Sequence, residues 1–295
     1  MVKRPILKGN LDLQKIPKSP IFQFANLAFN ISYDTIKRGV VMIKKIFAVS
    51  CLLFLPFASF GGLISNDDIE VKGVKPSENY TTLEFNPGQN VIDDSNGISS
   101  TFLTTKFYYG FKERKYDFGI EIPLLRNEGN NRGTNGLGDI LFATNYTGDI
   151  TKQFLYGLQL ELTTPTASKN ELGIGRFEIS PAAFLEYSFL DGFFIAGGLK
   201  YYHTFWGDSD RATINKMRLR TNFGYISPTD WWLIVDPKYY FNLENGKKEI
   251  YLEFEGGFMF RGNVAFYLKP GFHAAGAWKS KEWNIQLGIK FFDLI

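Results

Sequence analysis

The feature that most constrains the fold is a two-residue alternation of apolar and polar side chains, which recurs from residue 80 onward. In KEIYLEFEGGFMF, residues 248 to 260, apolar residues share one parity and glutamates share the other. The apolar set is Ile250, Leu252, Phe254, Phe258 and Phe260, and the acidic set is Glu249, Glu253 and Glu255. Successive side chains of a β-strand point to opposite faces, so this segment predicts a strand with one oily and one charged face. No segment after residue 61 shows the spacing of an amphipathic helix, and the chain is predicted to be all-β.

Twelve segments show this alternation, or are short β-rich runs bounded by turn residues, and are predicted to be strands. The predicted strands span residues 80–86, 99–111, 115–124, 137–147, 153–164, 176–189, 193–205, 214–226, 230–241, 248–260, 263–273 and 281–292. The connections between them alternate in length. KER, GDITK, LDG, SPT and RG are short, whereas the intervening connections are longer and rich in Gly, Asn, Asp and Ser.

This alternation of short and long connections is typical of hairpins that point to two different sides of a membrane. Only helices and closed barrels satisfy their backbone groups in hydrocarbon, and closure also removes unpaired strand edges. We therefore predict a transmembrane antiparallel up-and-down β-barrel of about twelve strands in the outer membrane of a Gram-negative bacterium. Because the odd-numbered connections are the long ones, both termini are predicted to lie in the periplasm.

The segment before the barrel has the layout of a secretory signal peptide. Met42 opens a stretch in which Lys44 and Lys45 precede an apolar run, and small residues follow up to Gly61. We predict a signal peptide at 42–61 and a barrel at 62–295. Residues 1–41 are interpreted as a misassigned start or a disordered basic extension.

Removal of this leader changes what the composition implies. Cys51 is the only cysteine and lies inside the apolar run, so the mature chain is predicted to contain no disulfide. Residues 62–295 carry 24 Lys/Arg and 28 Asp/Glu, a net charge of −4. A mature chain with this charge gives no indication of nucleic-acid binding.

Strand parity predicts which side chains face lipid. Charges on the lipid side cost about 2 to 4 kcal/mol each near the midplane, so the apolar parity must face outward. The predicted outward sets are Phe154, Tyr156, Leu158, Leu160 and Leu162 in the fifth strand, Tyr116, Phe118, Ile120 and Ile122 in the third, and Trp283, Ile285, Leu287, Ile289 and Phe291 in the twelfth. Aromatic residues near strand ends are predicted to form headgroup girdles, among them Trp231, Trp232, Tyr239 and Trp283.

The opposite parity predicts a charged lumen. A basic stripe comprises Lys200, Lys216, Arg218, Arg220 and Lys238. The acidic groups that flank it are Asp117, Glu121, Glu161, Glu186, Glu249, Glu253 and Glu255, with Glu178 as a further candidate. These charges have two interpretations: a salt-bridged, hydrated filling of a narrow barrel, or a transverse field that selects solutes.

Aromatic residues also fall on the inward parity: Tyr108, Phe184, Tyr202, Tyr240 and Tyr267. They either pack where the barrel is tight or form a path for aromatic and amphipathic solutes.

Catalytic chemistry has little support in this sequence. His203 and His273 are the two histidines, and neither has an evident serine or carboxylate relay. A barrel-embedded lipid enzyme would need His203 together with Ser209 or Thr204 at the membrane interface. No cysteine pair or histidine pair has metal-ligand spacing in the mature chain, and we predict no metal, no cofactor and no enzyme activity.

Three short motifs carry a family resemblance over roughly residues 115 to 205. GLGD at 136–139 opens a strand that ends in Tyr146, LTTPTA follows at 162–167, and GIG at 173–175 precedes a strand with Pro181. In these features the chain resembles a family of outer-membrane transporters named for the MetA pathway of phenol degradation. The resemblance implies a porin-like barrel that passes aromatic or hydrophobic compounds, and it carries over no catalytic residue.

We therefore predict a monomeric porin-like channel for passive diffusion or uptake of small solutes. Its partners are outer-membrane lipid, small-molecule solutes and the barrel assembly machinery. Outer-membrane barrels commonly finish on a terminal aromatic residue that this machinery recognises, whereas here Phe291 and Phe292 are followed by Asp293, Leu294 and Ile295. The alternatives are a structural or adhesive barrel that acts through its loops, and the lipid enzyme already considered.

Overall fold

The computed structural model describes residues 79–111, 115–129, 132–190 and 192–293. These residues form thirteen strand segments in a single antiparallel sheet. The predicted extension at 1–41 and signal peptide at 42–61 lie outside the described residues. The strands are β1 (Thr82–Asp93), β2 (Ile98–Phe111), β3 (Tyr116–Gly129), β4 (Arg132–Leu137), β5 (Leu141–Asp149), β6 (Phe154–Thr163), β7 (Arg176–Phe189), β8 (Phe193–Gly207), β9 (Asn215–Ile226), β10 (Trp231–Asn242), β11 (Lys248–Phe260), β12 (Val264–Ala275) and β13 (Trp283–Phe292).

The sheet closes on itself into a barrel. Thr82 of β1 lies opposite Tyr108 of β2 on one side and Phe292 of β13 on the other. β4 and β5 both pair with β3, so they are two segments of one barrel strand, interrupted at 138–140. The barrel therefore has twelve strands, and the predicted fold class is confirmed. Closure removes the open edges of the sheet among the described residues, except at β4, which pairs with β3 alone.

The outer face of the barrel is apolar. Large apolar side chains stand exposed on successive strands, among them Phe118, Leu158, Leu233, Phe254 and Leu287. In water such an uninterrupted apolar surface would be an aggregation hazard, whereas in a bilayer it faces hydrocarbon. Among the described residues no helix is long and apolar enough to cross a membrane.

The two ends of the barrel differ in their connections. Five connections form what we call the turn end, at 112–115, 150–153, 190–192, 227–230 and 261–263. Six form the loop end, at 94–97, 130–131, 164–175, 208–214, 243–247 and 276–282. The 164–175 connection contains a short 3-10 helix, Asn170–Leu172.

Two of the predicted long connections are wrong. The predicted loop at 87–98 is largely strand, because β1 continues through Pro87 and Gly88 to Asp93. Within the predicted loop at 125–136, residues 125–129 and 132–136 likewise belong to strands, β3 and β4, which pair with each other. In both cases hydrogen bonds to a neighbouring strand keep the backbone extended at residues that in isolation favour turns.

Apolar packing inside the barrel concentrates at the turn end. A buried cluster contains Tyr80, Phe194, Ala196, Trp232, Ile234, Met259, Ala265 and Phe292. The rings of Tyr80 and Phe292 meet edge to face, with centroids 5.8 Å apart. We call this cluster the apolar layer.

The chain just before β1 helps to close the same end. Asn79 is buried, and its side-chain amide donates to the carbonyl oxygen of Lys115 at 3.1 Å and to the hydroxyl of Thr147 at 3.2 Å. Residues 79 and 80 therefore cross from β1 toward β3 and β5, beside the apolar layer.

Trp232 corrects a prediction made from strand-end position alone. The sequence places it in an outer headgroup girdle, but its ring is 2% exposed and belongs to the apolar layer. Trp231, one residue earlier, is 39% exposed on the outer face. Adjacent residues of a strand face opposite sides, so only one of the two tryptophans can meet lipid.

Candidate functional site

The barrel encloses a polar cavity of about 490 Å³. Every strand except β4 and β8 contributes to its wall, through residues of the inward parity, as the pleat of a β-strand requires. Of the predicted acidic groups, Asp117, Glu121, Glu253 and Glu255 line this cavity. Of the predicted basic groups, Arg220 and Lys238 line it.

The other predicted lumen charges lie around the cavity rather than on it. Lys200 and Arg218 line a smaller adjoining cavity, and Lys200 contacts Glu161. Glu186 and Glu249 are fully buried, on the inward parity of β7 and β11. Lys216 lies over the Tyr202 ring, 4.7 Å from its centroid.

Asp236 organises the centre of the charged wall, although the sequence reading did not single it out. It is 2% exposed, and it accepts from Arg220, with its two oxygens 2.8 Å and 2.7 Å from two guanidinium nitrogens. Lys238 lies 3.5 Å from the same carboxylate and also contacts Glu253. Two cations and two carboxylates thus form one network across β9, β10 and β11.

Further ion pairs continue around the wall. Lys269 lies 2.5 Å from Glu255, and Lys106 lies 3.4 Å from Glu121. Lys281 of the 276–282 loop reaches within 3.9 Å of Glu253. The signs therefore interleave more than the predicted basic stripe implies, because opposite charges meet across neighbouring strands.

Four further charged residues face the lumen that were not predicted from the sequence. Glu84, Lys106, Lys269 and Lys290 all line the main cavity. The available signal was strand parity: Lys106 is two residues from the predicted Tyr108, and Lys269 is two residues from Tyr267. The same alternation that located the predicted charges would have located these.

The predicted aromatic residues take two positions. Tyr108, Phe184 and Tyr267 line the main cavity. Tyr202 and Tyr240 lie near the loop end, where Tyr240 meets Trp278 edge to face at 6.1 Å. Tyr108 donates its hydroxyl hydrogen to Glu121 at 2.6 Å, so this ring is also part of the charged wall.

Rings that line the cavity lie against glycines of a neighbouring strand. A side chain at Gly119 would overlap the Tyr108 ring, and one at Gly157 would overlap the Phe184 ring. Gly288 stands in the same relation to Tyr267. These three rings therefore lie along the wall of the cavity.

The loop end is shaped by connections that fold back on the wall. The backbone N–H and hydroxyl of Ser280 both donate to Glu249 at 3.0 Å, and Trp278 lies beside Tyr240. The 276–282 loop therefore narrows the loop end from within.

Asp139 holds the 164–175 loop against the barrel. Its carboxylate accepts from the backbone N–H of Ala167 at 2.9 Å and of Ile174 at 2.6 Å. Arg211 of the next loop contacts backbone carbonyls of the same segment, including that of Gly173. GLGD and GIG, the motifs of the family resemblance, thus meet at this latch.

The structure separates one of the two candidate catalytic pairs, His203 with Thr204. His203 lies opposite Ile179 on the outward parity, whereas Thr204 is 3% exposed on the inward parity. The Thr204 hydroxyl accepts from the backbone N–H of Ile214 at 2.8 Å. Consecutive strand residues cannot form a catalytic pair on one face, so His203 with Thr204 is excluded as a dyad. Within the described ranges no cluster of His, Cys, Asp and Glu is suited to hold a metal ion.

Comparison with known proteins gives structural matches only. No family model and no curated protein sequence matches the chain. An outer-membrane channel from Pseudomonas putida F1 is similar over 78% of this chain and 99% of its own, with a TM-score of 0.63 and 13% identity. The NanC porin (TM-score 0.51, 12% identity) and the KdgM porin (TM-score 0.50, 10% identity) are each similar over 71% of this chain and 98% of their own.

These similarities concern the fold, and the fold is that of outer-membrane channels and porins. A closed twelve-stranded barrel with an apolar outer face belongs in a bacterial outer membrane, as the sequence predicted.

Proposed function

We propose that the chain is a porin-like channel for passive diffusion or uptake of small solutes across the outer membrane. The observation that carries the proposal is the cavity of about 490 Å³ inside a closed barrel, lined by charged and amide side chains. Such a wall keeps water and ions in the lumen, which a barrel that acted only through its loops would not need. The fold that the chain shares with solved channels and porins supports the same function.

The finer proposal concerns the solutes. The paired charges of the wall favour solutes that are soluble in water, and the rings of Tyr108, Phe184 and Tyr267 offer flat apolar faces along the same path. Solutes that combine a polar group with an aromatic body suit both properties, in agreement with the family resemblance.

Orientation follows from the connections. We propose that the turn end faces the periplasm and the loop end faces the outside. A cysteine introduced at the exposed Asn245 should react with an impermeant maleimide on intact cells, whereas one at the exposed Thr229 should react only after the outer membrane is opened. The reverse labelling pattern would overturn this orientation.

The channel function is tested by solute flux. The purified full chain, reconstituted into liposomes, should make them swell in isotonic solutions of a small sugar or amino acid, faster than protein-free liposomes do. Retarded migration of the unheated protein in electrophoresis serves as the control for a folded barrel. A folded protein that admits no small solute would contradict the proposed function.

A further inference from the structure

A second cavity of about 80 Å³ adjoins the main one, against β7, β8 and β9. The two cavities share Gln159, Phe184, Arg220 and Asn222, so the smaller one opens from the lumen. We call it the side recess. Its wall contains Ala182, Ala196 and Gly198 on the inward parity, and these small side chains leave the space unfilled.

The cations around the side recess differ in how they are paired. Lys200 contacts Glu161, and Arg220 is held by Asp236 at 2.7 Å. Arg218 lies opposite Lys200 in the β8–β9 register, and no described residue places a carboxylate oxygen within 4.0 Å of it. Its Nε is buried, with no hydrogen-bond acceptor in the described parts of the chain.

Further cations surround Arg218. The Tyr202 ring lies 5.7 Å from its guanidinium carbon, 4.7 Å from the Lys216 ammonium and 5.1 Å from the Lys200 ammonium. Glu161 contacts Lys200, and Glu178 accepts from the Ser180 hydroxyl at 3.1 Å. Three cations therefore surround one ring, and of these only Lys200 has a carboxylate oxygen within 4.0 Å among the described residues.

The floor of the side recess is apolar. Phe184 lies flat on the backbone at Gly157, and its ring borders both cavities. A guanidinium whose buried Nε lacks an acceptor, next to a flat apolar surface, matches a ligand with a carboxylate at one end and a planar apolar body at the other. Guanidinium groups bind carboxylates through two parallel hydrogen bonds, and such charge-assisted bonds are about twice as strong as neutral ones.

We propose that the side recess binds a small organic monocarboxylate with a planar apolar body, whose carboxylate meets Arg218 and whose body lies against Phe184. The site deepens the proposed function, since the ligand reaches it through the lumen. Binding nevertheless does not require that the barrel conduct, so the two proposals can fail separately.

Equilibrium dialysis of the full chain in lipid nanodiscs tests the site, with radiolabelled benzoate as the probe and empty nanodiscs as background. Unlabelled benzoate should displace the label, whereas acetate, with the charge but no ring, and benzyl alcohol, with the ring but no charge, should do so far less. Arg218→Gln should weaken benzoate binding about tenfold, which corresponds to the loss of one charge-assisted interaction. Arg218→Lys keeps the positive charge but cannot form two parallel hydrogen bonds to a carboxylate. Its affinity for benzoate should therefore lie between that of the unchanged protein and that of Arg218→Gln.

Lys247→Gln is the matched control, because it removes one positive charge from an exposed position in the loop-end connections. It should bind benzoate as the unchanged protein does. The proposal is overturned if acetate displaces the label as well as benzoate does, or if Arg218→Gln, with the electrophoretic migration of a folded barrel, binds benzoate with unchanged affinity. Absence of benzoate binding in a chain that still passes solutes would refute the side recess alone.

Discussion

At the scale of single residues, the interior of this barrel is set by pairs of a ring and a glycine on adjacent strands. Phe184 with Gly157 is the clearest pair, since a side chain at Gly157 would overlap the ring. Such a glycine is required by a contact rather than by a turn. The sequence shows the glycines and the rings, but their pairing depends on register, which parity alone does not supply.

Gly157→Ala should therefore destabilise the barrel by about 1 to 3 kcal/mol, the usual cost of overpacking. Gly197→Ala is the matched control, because a methyl group at Gly197 would meet no atom within 4 Å. Urea unfolding in lipid vesicles measures both free energies. Equal stability of the two variants would contradict the ring-on-glycine packing.

The carboxylate of Asp236 holds two cations of the wall, and its removal should destabilise the barrel. Asp236→Asn leaves Arg220 and Lys238 facing each other with one carboxylate fewer, and loss of one partner of a buried ion pair costs about 3 to 5 kcal/mol. Glu128→Gln, which breaks an exposed pair with Arg126, should change the free energy of unfolding by less than about 1 kcal/mol. A smaller effect at Asp236 than at Glu128 would rule out a stabilising role for the charged network.

Among the secondary-structure elements, most strands could be predicted from the sequence. Apolar and polar side chains alternate along a strand wherever one face contacts lipid and the other contacts water. The prediction failed at 87–93, 125–129 and 132–136, where Pro, Gly and Asn lie in strands that hydrogen bonds to a neighbouring strand hold extended. Local propensity is a weak prior there, since the hydrogen bonds come from residues distant in sequence. The loop contacts of Asp139 and Arg211 could not be predicted from the sequence either. The two-residue period of a strand gives no information about how the loops fold.

The latch at Asp139 gives a prediction at this scale. Asp139→Ala removes the acceptor for Ala167 and Ile174, so the 164–175 loop should be cleaved faster by protease while the barrel stays folded. Asp210→Ala, at an exposed position in the neighbouring loop, should leave the cleavage rate unchanged. Limited proteolysis followed by mass spectrometry locates the cut. Equal cleavage of the two variants at this loop would show that Asp139 does not hold it.

At the scale of the whole molecule, the lumen has three zones between its ends. The 276–282 loop and Tyr240 narrow the loop end, a charged wall surrounds the centre, and the apolar layer lies at the turn end. An apolar constriction resists wetting, so the apolar layer should be the zone that limits ion flow. Sequence parity predicted a polar lumen, but it could not indicate that inward residues at one end form a buried cluster.

Trp232→Ala should therefore raise the conductance of a single barrel, because it removes the largest ring of the apolar layer. Trp231→Ala is the control one residue away, on the outer face, and should leave conductance unchanged. Single-channel recordings compare the two variants. An unchanged conductance in Trp232→Ala would place the limiting constriction elsewhere in the lumen.

Planar-bilayer recording of the purified full chain tests whether this barrel is an open path for solutes. We expect stepwise current increases as single barrels insert, with a step size that rises with salt concentration. A protein that inserts, keeps the electrophoretic migration of a folded barrel and yet carries no current at any salt concentration would show that the barrel is not an open path.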